Sequence, residues 1–215
     1  MISILLATHN GERYLKQSIK SVLDQTFTEF ELLIGLNGTT DGSKEIIESF
    51  EDSRIKIFEY DQPSKSKTLN KLIGEAKYDW ISIQDDDDIW IDIKLESQIN
   101  YTKEFDVIGT FINYINENGN IIGSPNLSMT NETIKSLSLS GNNQVANTSA
   151  IFKKSIALEN NGWREDIDGI EDFDFWLRLM RMGKTFMNIP NVLVLHRVHT
   201  QSNFNTKKYD LNQIL

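Results

Sequence analysis

The feature that most constrains this chain is a run of four aspartates, Asp85 to Asp88, set between Trp80-Ile81-Ser82-Ile83-Gln84 and Ile89-Trp90. The apolar run at 80–83 reads as a buried strand, and it stops abruptly at four carboxylates. Neighbouring like charges resist ionisation unless a cation holds them. An acidic run on a solvated face lies in polar sequence, whereas this one has apolar anchors on both sides. At the carboxyl end of a strand in an open α/β sheet, where ligands bind, hard oxygen donors suit Mg²⁺ or Mn²⁺ shared with substrate phosphates. The spacing favours a metal–phosphate site over a solvated acid cluster.

The sequence before this run alternates strand and helix signals. Residues 2–7 form an apolar strand, followed by the loop Thr8-His9-Asn10-Gly11 and a helix from Glu12 whose Leu15, Ile19, Val22 and Leu23 make one stripe. Residues 30–36 are a second strand, closed by Asn37-Gly38-Thr39-Thr40-Asp41-Gly42, and Ser43 is placed to cap the next helix. Residues 55–60 are a third strand, and the polar loop 62–67 feeds a helix carrying Leu69, Leu72, Ile73 and Ala76. This βαβ repetition predicts a mainly parallel sheet with helices on both faces. The loops 8–12 and 37–41 and the aspartates then open on one edge.

Beyond residue 105 the pattern is less regular. Residues 107–114 and 120–122 read as strands joined through Asn116-Glu117-Asn118-Gly119. Residues 123–147 read as a loop with a short helix at 133–137, 148–152 as a strand, 171–182 as a helix and 192–196 as a last strand. No repeat or linker divides the chain, which reads as one domain over 1–215: a nucleotide-type half (1–105) and a more variable half (106–215). With 31 acidic against 22 basic residues, net charge −9, an extended nucleic-acid surface is not expected. There is no cysteine for thiolate chemistry, no apolar run of membrane-spanning length and no signal-peptide pattern at the start. A cytoplasmic protein is the expectation.

Four blocks, in matching order and spacing, carry a family resemblance. They are Ile2-Ser3-Ile4-Leu5-Leu6-Ala7-Thr8-His9-Asn10-Gly11-Glu12 with Ser21-Val22-Leu23-Asp24-Gln25-Thr26-Phe27, then Leu36-Asn37-Gly38-Thr39-Thr40-Asp41-Gly42-Ser43, then Asp85 to Asp88 as a D-x-D motif, then Gly169-Ile170-Glu171-Asp172-Phe173-Asp174-Phe175-Trp176 with Arg197-Val198-His199. The chain resembles a family 2 glycosyltransferase of the GT-A fold: a Rossmann-like, mainly parallel sheet flanked by helices, with a smaller mixed acceptor-side region. The resemblance implies inverting transfer from a nucleotide-sugar donor, most favourably a UDP-sugar, to a glycan or other hydroxyl acceptor. It implies that Thr8, His9, Asn10, Glu12 and Asn37 line the base and ribose pocket, with Lys67 and Asp86 as further nucleotide contacts. Asp87 is then the direct metal ligand, Asp85 a ribose or water-mediated metal contact, and His199 a completing ligand that tilts the ion towards Mn²⁺ over Mg²⁺. Asp172 would be the general base.

Several of these residues also have plainer readings. Thr8 and Asn10 could cap the first helix, Glu12 could serve its dipole, and Lys67 could be solvated. Trp90, Trp163 and Trp176 could be sugar platforms or core. Asp174 and Arg178 are spaced as a surface i,i+4 pair. The sequence also departs from the family pattern: Leu36 and Asn37 stand where two aspartates are usual, His9 for a tyrosine and Ala7 for a proline. An amide at Asn37 can still accept from N3–H of uracil or thymine. The other classes open to such a chain are a nucleotidyltransferase, which would need a Gly-rich basic triphosphate loop that residues 8–14 lack, and a non-catalytic nucleotide-sugar or divalent-ion binding module.

Overall fold

The computed structural model describes residues 1–167, 169–200 and 211–215. β1 (Ile2–Thr8), α1 (Glu12–Leu23), β2 (Phe30–Asn37), α2 (Ser43–Glu48), β3 (Ile55–Tyr60), α3 (Lys65–Glu75) and β4 (Trp80–Asp85) alternate along the first part of the chain. β1 pairs with β2 and β4, and β2 with β3, all parallel. Parallel neighbours need a crossover, and each intervening helix supplies one.

Alternation along the strands splits the core in two. Leu5, Leu33, Ile81 and Ile83 pack with Leu69, Leu72 and Ile73 of α3 on one side. Ile4, Leu6, Ile34 and Leu36 pack with Leu15, Ile19 and Val22 of α1 and Ile47 of α2 on the other. The same period of two carries Asn37 and Asp85, at the strand ends, to the α3 side and Thr8 to the α1 side. Strand parity therefore decides which loop residues share a face before any ligand is considered.

The later part comprises β5 (Ile89–Trp90), α4 (Lys94–Ile99), β6 (Val107–Ile115), β7 (Ile121–Gly123), α5 (Asn131–Leu139), β8 (Ile151–Lys153), α6 (Lys154–Glu159), α7 (Glu171–Arg181) and β9 (Phe186–Arg197). Among the described residues the sheet order is β3-β2-β1-β4-β8-β6-β9-β5, with β7 on β6. β8 is antiparallel to β4 and β6, β9 is parallel to β6, and β5 is antiparallel to β9. The mixed region thus extends the same sheet, and it brings the carboxyl end of β9 alongside the turn after β4.

Four local features differ from the sequence expectation. α4 and α6 have six residues each, too short to show a helical period. The strand expected at 148–152 starts only at Ile151, because Asn147–Ser149 form a 3₁₀ turn in which the Ser149 amide and hydroxyl both donate to the Ala146 carbonyl (3.0 and 2.8 Å). The last strand begins six residues earlier than expected, at Phe186. It passes Pro190 in a bulge, Thr110 pairing with Ile189 and Phe111 with Val192, which accommodates a residue without an N–H. Ser43 does not cap α2; the Asp41 carboxylate receives the Ser43 amide at 3.0 Å instead.

Trp90, Trp163 and Trp176 are all core, at most 3% exposed. Trp163 stacks on Phe175 with centroids 4.7 Å apart, and Phe152 meets Trp163, Phe175 and Trp176 edge-on. This aromatic cluster seats α7 on the sheet. Among the described residues no helix is long and apolar enough to cross a membrane.

Candidate active site

The loops after β1, β2 and β4 meet at one edge. Thr8 donates its hydroxyl to Asp86 Oδ2 at 2.5 Å. Gly11 lies against that pair, and a Cβ there would come within 2.5 Å of both oxygens, so the loop needs glycine. Asn10 adopts a left-handed φ of 56°, which asparagine tolerates, and its amide oxygen accepts from the Thr40 amide at 2.8 Å. Neither Thr8 nor Asn10 caps α1, whose first turn has no side-chain cap. The Glu12 carboxylate accepts from the Gly42 amide (3.1 Å), while Asp41 accepts from the Glu12 amide (3.0 Å). The two helix N-termini are laced together by acids, as their dipoles favour.

His9 is exposed, and its Nδ1 donates to the Asn37 carbonyl at 2.8 Å. Asn37 is 2% exposed, and its side-chain oxygen has no hydrogen-bond partner. A buried amide oxygen left open costs about 1–3 kcal/mol, so an N–H donor arriving from outside is favoured there. Lys67 is exposed in the first turn of α3 and is not drawn into these contacts, its backbone N–H bonding the Ser64 hydroxyl that caps the helix. The lysine that does enter the site is Lys65, whose Nζ lies 2.5 Å from Asp85 Oδ1.

Each of the four aspartates has a different partner. Asp85 pairs with Lys65, Asp86 with Thr8, and Asp87 Oδ2 with His199 Nε2 at 2.9 Å. Asp88, wholly buried, holds His196 Nδ1 at 3.0 Å through one oxygen and the Arg197 amide at 2.8 Å through the other. Burial and the charges of Asp87 and Asp85 push the Asp86 carboxyl up to about 7, against the opposing pull of Thr8 and Lys65. Burial likewise raises Asp87, but the hydrogen bond from His199 and the charges of His196, His199 and Lys65 outweigh it and leave Asp87 below the usual carboxylate range. His196 is lowered by burial and raised more strongly by Asp88, reaching about 9. It stands as an imidazolium buttress beneath the turn.

Asp172 lies in the first turn of α7, half-buried, with Oδ1 accepting from the Phe173 amide at 2.7 Å. Burial and the negative charge of Glu171 push its carboxyl up to about 7, Lys65 acting in the opposite sense and Asp85 adding to the rise. Lys65 in turn feels Asp85, Glu171 and Asp172, which overcome its desolvation and hold it protonated. Lys65 thus pairs directly with Asp85, and its charge also acts on Asp172.

Arg197, 2% exposed, organises the opposite side of the turn. It donates to the Asp87 carbonyl (2.9 Å), the Asn116 carbonyl (3.1 Å) and Gln17 Oε1 (2.9 Å), and lies 4.4 Å from the Tyr14 ring centroid. Tyr14 also touches His199, with centroids 5.2 Å apart. Tyr14 and Gln17 carry no site signal in the local sequence. Lys65 does carry one, its place at the first helical position after the β3 loop; the lysine named from the sequence is Lys67.

Among the described residues no group of three or more His, Asp or Glu side chains is arranged to enclose a metal ion. Asp87 and His199 instead offer one carboxylate oxygen and one imidazole nitrogen, directed at each other across 2.9 Å. That donor pair fits Mn²⁺ or Mg²⁺ of the kind that takes its remaining ligands from water and substrate phosphates.

The sheet and its flanking helices match solved proteins of the GT-A fold. The structure of S. aureus TarS in complex with UDP-GlcNAc superposes with a TM-score of 0.80 at 18% identity, covering 99% of this chain and 63% of that one. A mannosyltransferase from Pyrobaculum calidifontis, in complex with GDP-Man and Mn²⁺, gives 0.73 at 14% identity, covering 94% and 58%. The chain thus spans less than two-thirds of either solved protein. Fold and edge together define a GT-A protein. Residues 3–159 match the Glycosyl transferase family 2 model, and the chain belongs to that glycosyltransferase family. It is 32% identical over 209 residues to the O-antigen biosynthesis glycosyltransferase WbnJ of Escherichia coli, covering 94% of this chain and 81% of that relative.

Proposed function

We propose that this chain is an inverting glycosyltransferase that moves a sugar from a nucleotide-diphosphate sugar, by preference a UDP-sugar, to an acceptor hydroxyl. The observation that carries the reading is the gathering of the loops after β1, β2 and β4 around the acidic turn, where Thr8 bonds Asp86, Lys65 pairs with Asp85 at 2.5 Å and His199 meets Asp87 at 2.9 Å. Lys65 also acts on the Asp172 carboxyl through its charge. Residues 1–105 hold the donor, and 106–215 supply the acceptor side and the base.

Thr8, His9, Asn10 and Glu12 form the wall for base and ribose, and the open Asn37 oxygen accepts from N3–H of uracil. The UDP-GlcNAc bound by TarS supports the choice of base. Asp87 and His199 would hold the divalent ion, with Asp85 reaching it through water or taking the ribose. Mn²⁺ accompanies the donor in the Pyrobaculum calidifontis enzyme. A bound divalent ion supplies the positive charge that offsets the departing diphosphate. Asp172 takes the proton of the acceptor hydroxyl as that oxygen attacks the anomeric carbon, and a carboxyl near 7 is well matched to such work at neutral pH.

The test is release of UDP from UDP-glucose, UDP-galactose and UDP-N-acetylglucosamine with Mn²⁺, followed by the anomeric configuration of the product. Slow hydrolysis of one donor without acceptor, with inversion, is expected. Absence of turnover on all three, with binding retained, would make this a binding module.

A further inference from the structure

Building on the metal reading above, we infer that Tyr14 is a positioning residue that sets the His199 imidazole against Asp87. Tyr14 is half-buried in the first turn of α1, and His199, Arg197 and Arg13 all close on its ring. The His199 ring is tilted against it at 48°, with centroids 5.2 Å apart, inside the range of a favourable aromatic contact. The Arg197 and Arg13 guanidiniums lie 4.4 and 4.9 Å from its centroid, where the electron-rich ring attracts a cation. Arg13 is itself paired with Glu117, in the turn between β6 and β7, at 2.7 Å. α1, that turn and the residues closing β9 therefore meet on one aromatic side chain.

Of these neighbours, His199 is the one whose aim the ring can set. Arg197 keeps its place without Tyr14, through hydrogen bonds to the Asp87, Asn116 and Glu117 carbonyls and to Gln17. For His199, the Val198 amide bonded to the Ile115 carbonyl at 2.8 Å fixes the backbone just before it, and the direction of the imidazole depends on what its ring packs against. That imidazole presents Nε2 to Asp87 Oδ2 at 2.9 Å, so a rigid surface beside it limits where the nitrogen points. Groups that orient a metal-ligating histidine without touching the ion typically change metal affinity by about 10–100-fold when removed. The Tyr14 hydroxyl is buried and has no hydrogen-bond partner among the described residues, so the role belongs to the ring and not to the oxygen.

Mn²⁺ binding in the presence of UDP, followed by the electron spin resonance of the free ion, tests this without turnover. Tyr14 belongs to neither core cluster and leucine is a good helix former, so Tyr14→Leu is expected to fold. It should bind Mn²⁺ about tenfold more weakly than wild type, and Tyr14→Phe, which keeps the ring, within about twofold of it. In a His199→Ala background, adding Tyr14→Leu should change the affinity by less than about twofold, because a residue acting through His199 has nothing left to position. Three results would each overturn the inference: unchanged affinity in Tyr14→Leu, a loss in Tyr14→Phe as large as in Tyr14→Leu, or the full further loss in the His199→Ala background. The last would make Tyr14 a general support of the fold. If His199→Ala alone binds Mn²⁺ as tightly as wild type, the metal reading falls, and the inference with it.

Discussion

At the scale of single residues, the proposed reaction has Asp172 as its base, with the charge of Lys65 acting on it. Asp172→Asn keeps the side-chain shape and removes the base, so kcat should fall by about 10²–10⁴-fold while UDP affinity holds. Equal loss of both would take Asp172 out of the base role. Because the base works only when ionised and its carboxyl sits near 7, kcat/KM should fall as pH drops below about 7. Lys65 opposes that rise, so in Lys65→Met the acid limb should move to higher pH; a limb that stays put would separate Lys65 from Asp172. Asp86 gives a stability counterpart. Its carboxyl is held up to about 7, so proton binding stabilises the fold below that pH and ionisation destabilises it as pH rises from the unfolded value towards 7. Denaturant titration of Asp86→Asn should show its largest gain at pH 8 and little at pH 4.

At the scale of elements, α7 is held by a buried ion pair and not by the surface pair its spacing suggests. Arg178 Nε bonds Asp174 Oδ2 at 2.7 Å, Asp174 being 3% exposed. The same guanidinium reaches the Asn160 and Gly162 carbonyls at 2.5 and 2.7 Å, closing the end of α6. Arg178→Ala leaves Asp174 buried with only Arg164 3.6 Å away, and about 3 kcal/mol of stability should be lost, the low end for a broken buried pair. A loss under about 0.5 kcal/mol would return the pair to the surface class. The spacing showed that Asp174 and Arg178 could meet; their burial depended on α6, which is too short to show in the sequence. β9 was half-legible for a similar reason, its first residues being hidden behind Pro190.

For the molecule as a whole, the parallel half was legible because it is periodic. Apolar strands, striped helices and the abrupt aspartates each point to the same sheet edge, and β1 to β4 form there. The β6–β7 hairpin was legible from its turn, but the places of β5, β8 and β9 in the sheet were not, since their pairings join distant segments and leave no local period. His199 was legible beside Asp87 through the family resemblance, whereas the other partners of the aspartates, Lys65, His196 and the Arg197 amide, were hidden because they reach the turn only through the folded sheet. In a chain of net charge −9, this acidic edge should be relieved by cations, so Mn²⁺ with UDP should raise the melting temperature more than either alone. The most direct test is calorimetric titration of UDP, GDP, CDP and dTDP with Mn²⁺ and again with EDTA. Tight binding of UDP that disappears with EDTA is the predicted result. Equal binding with and without metal, or no binding of any diphosphate with metal present, would contradict the account.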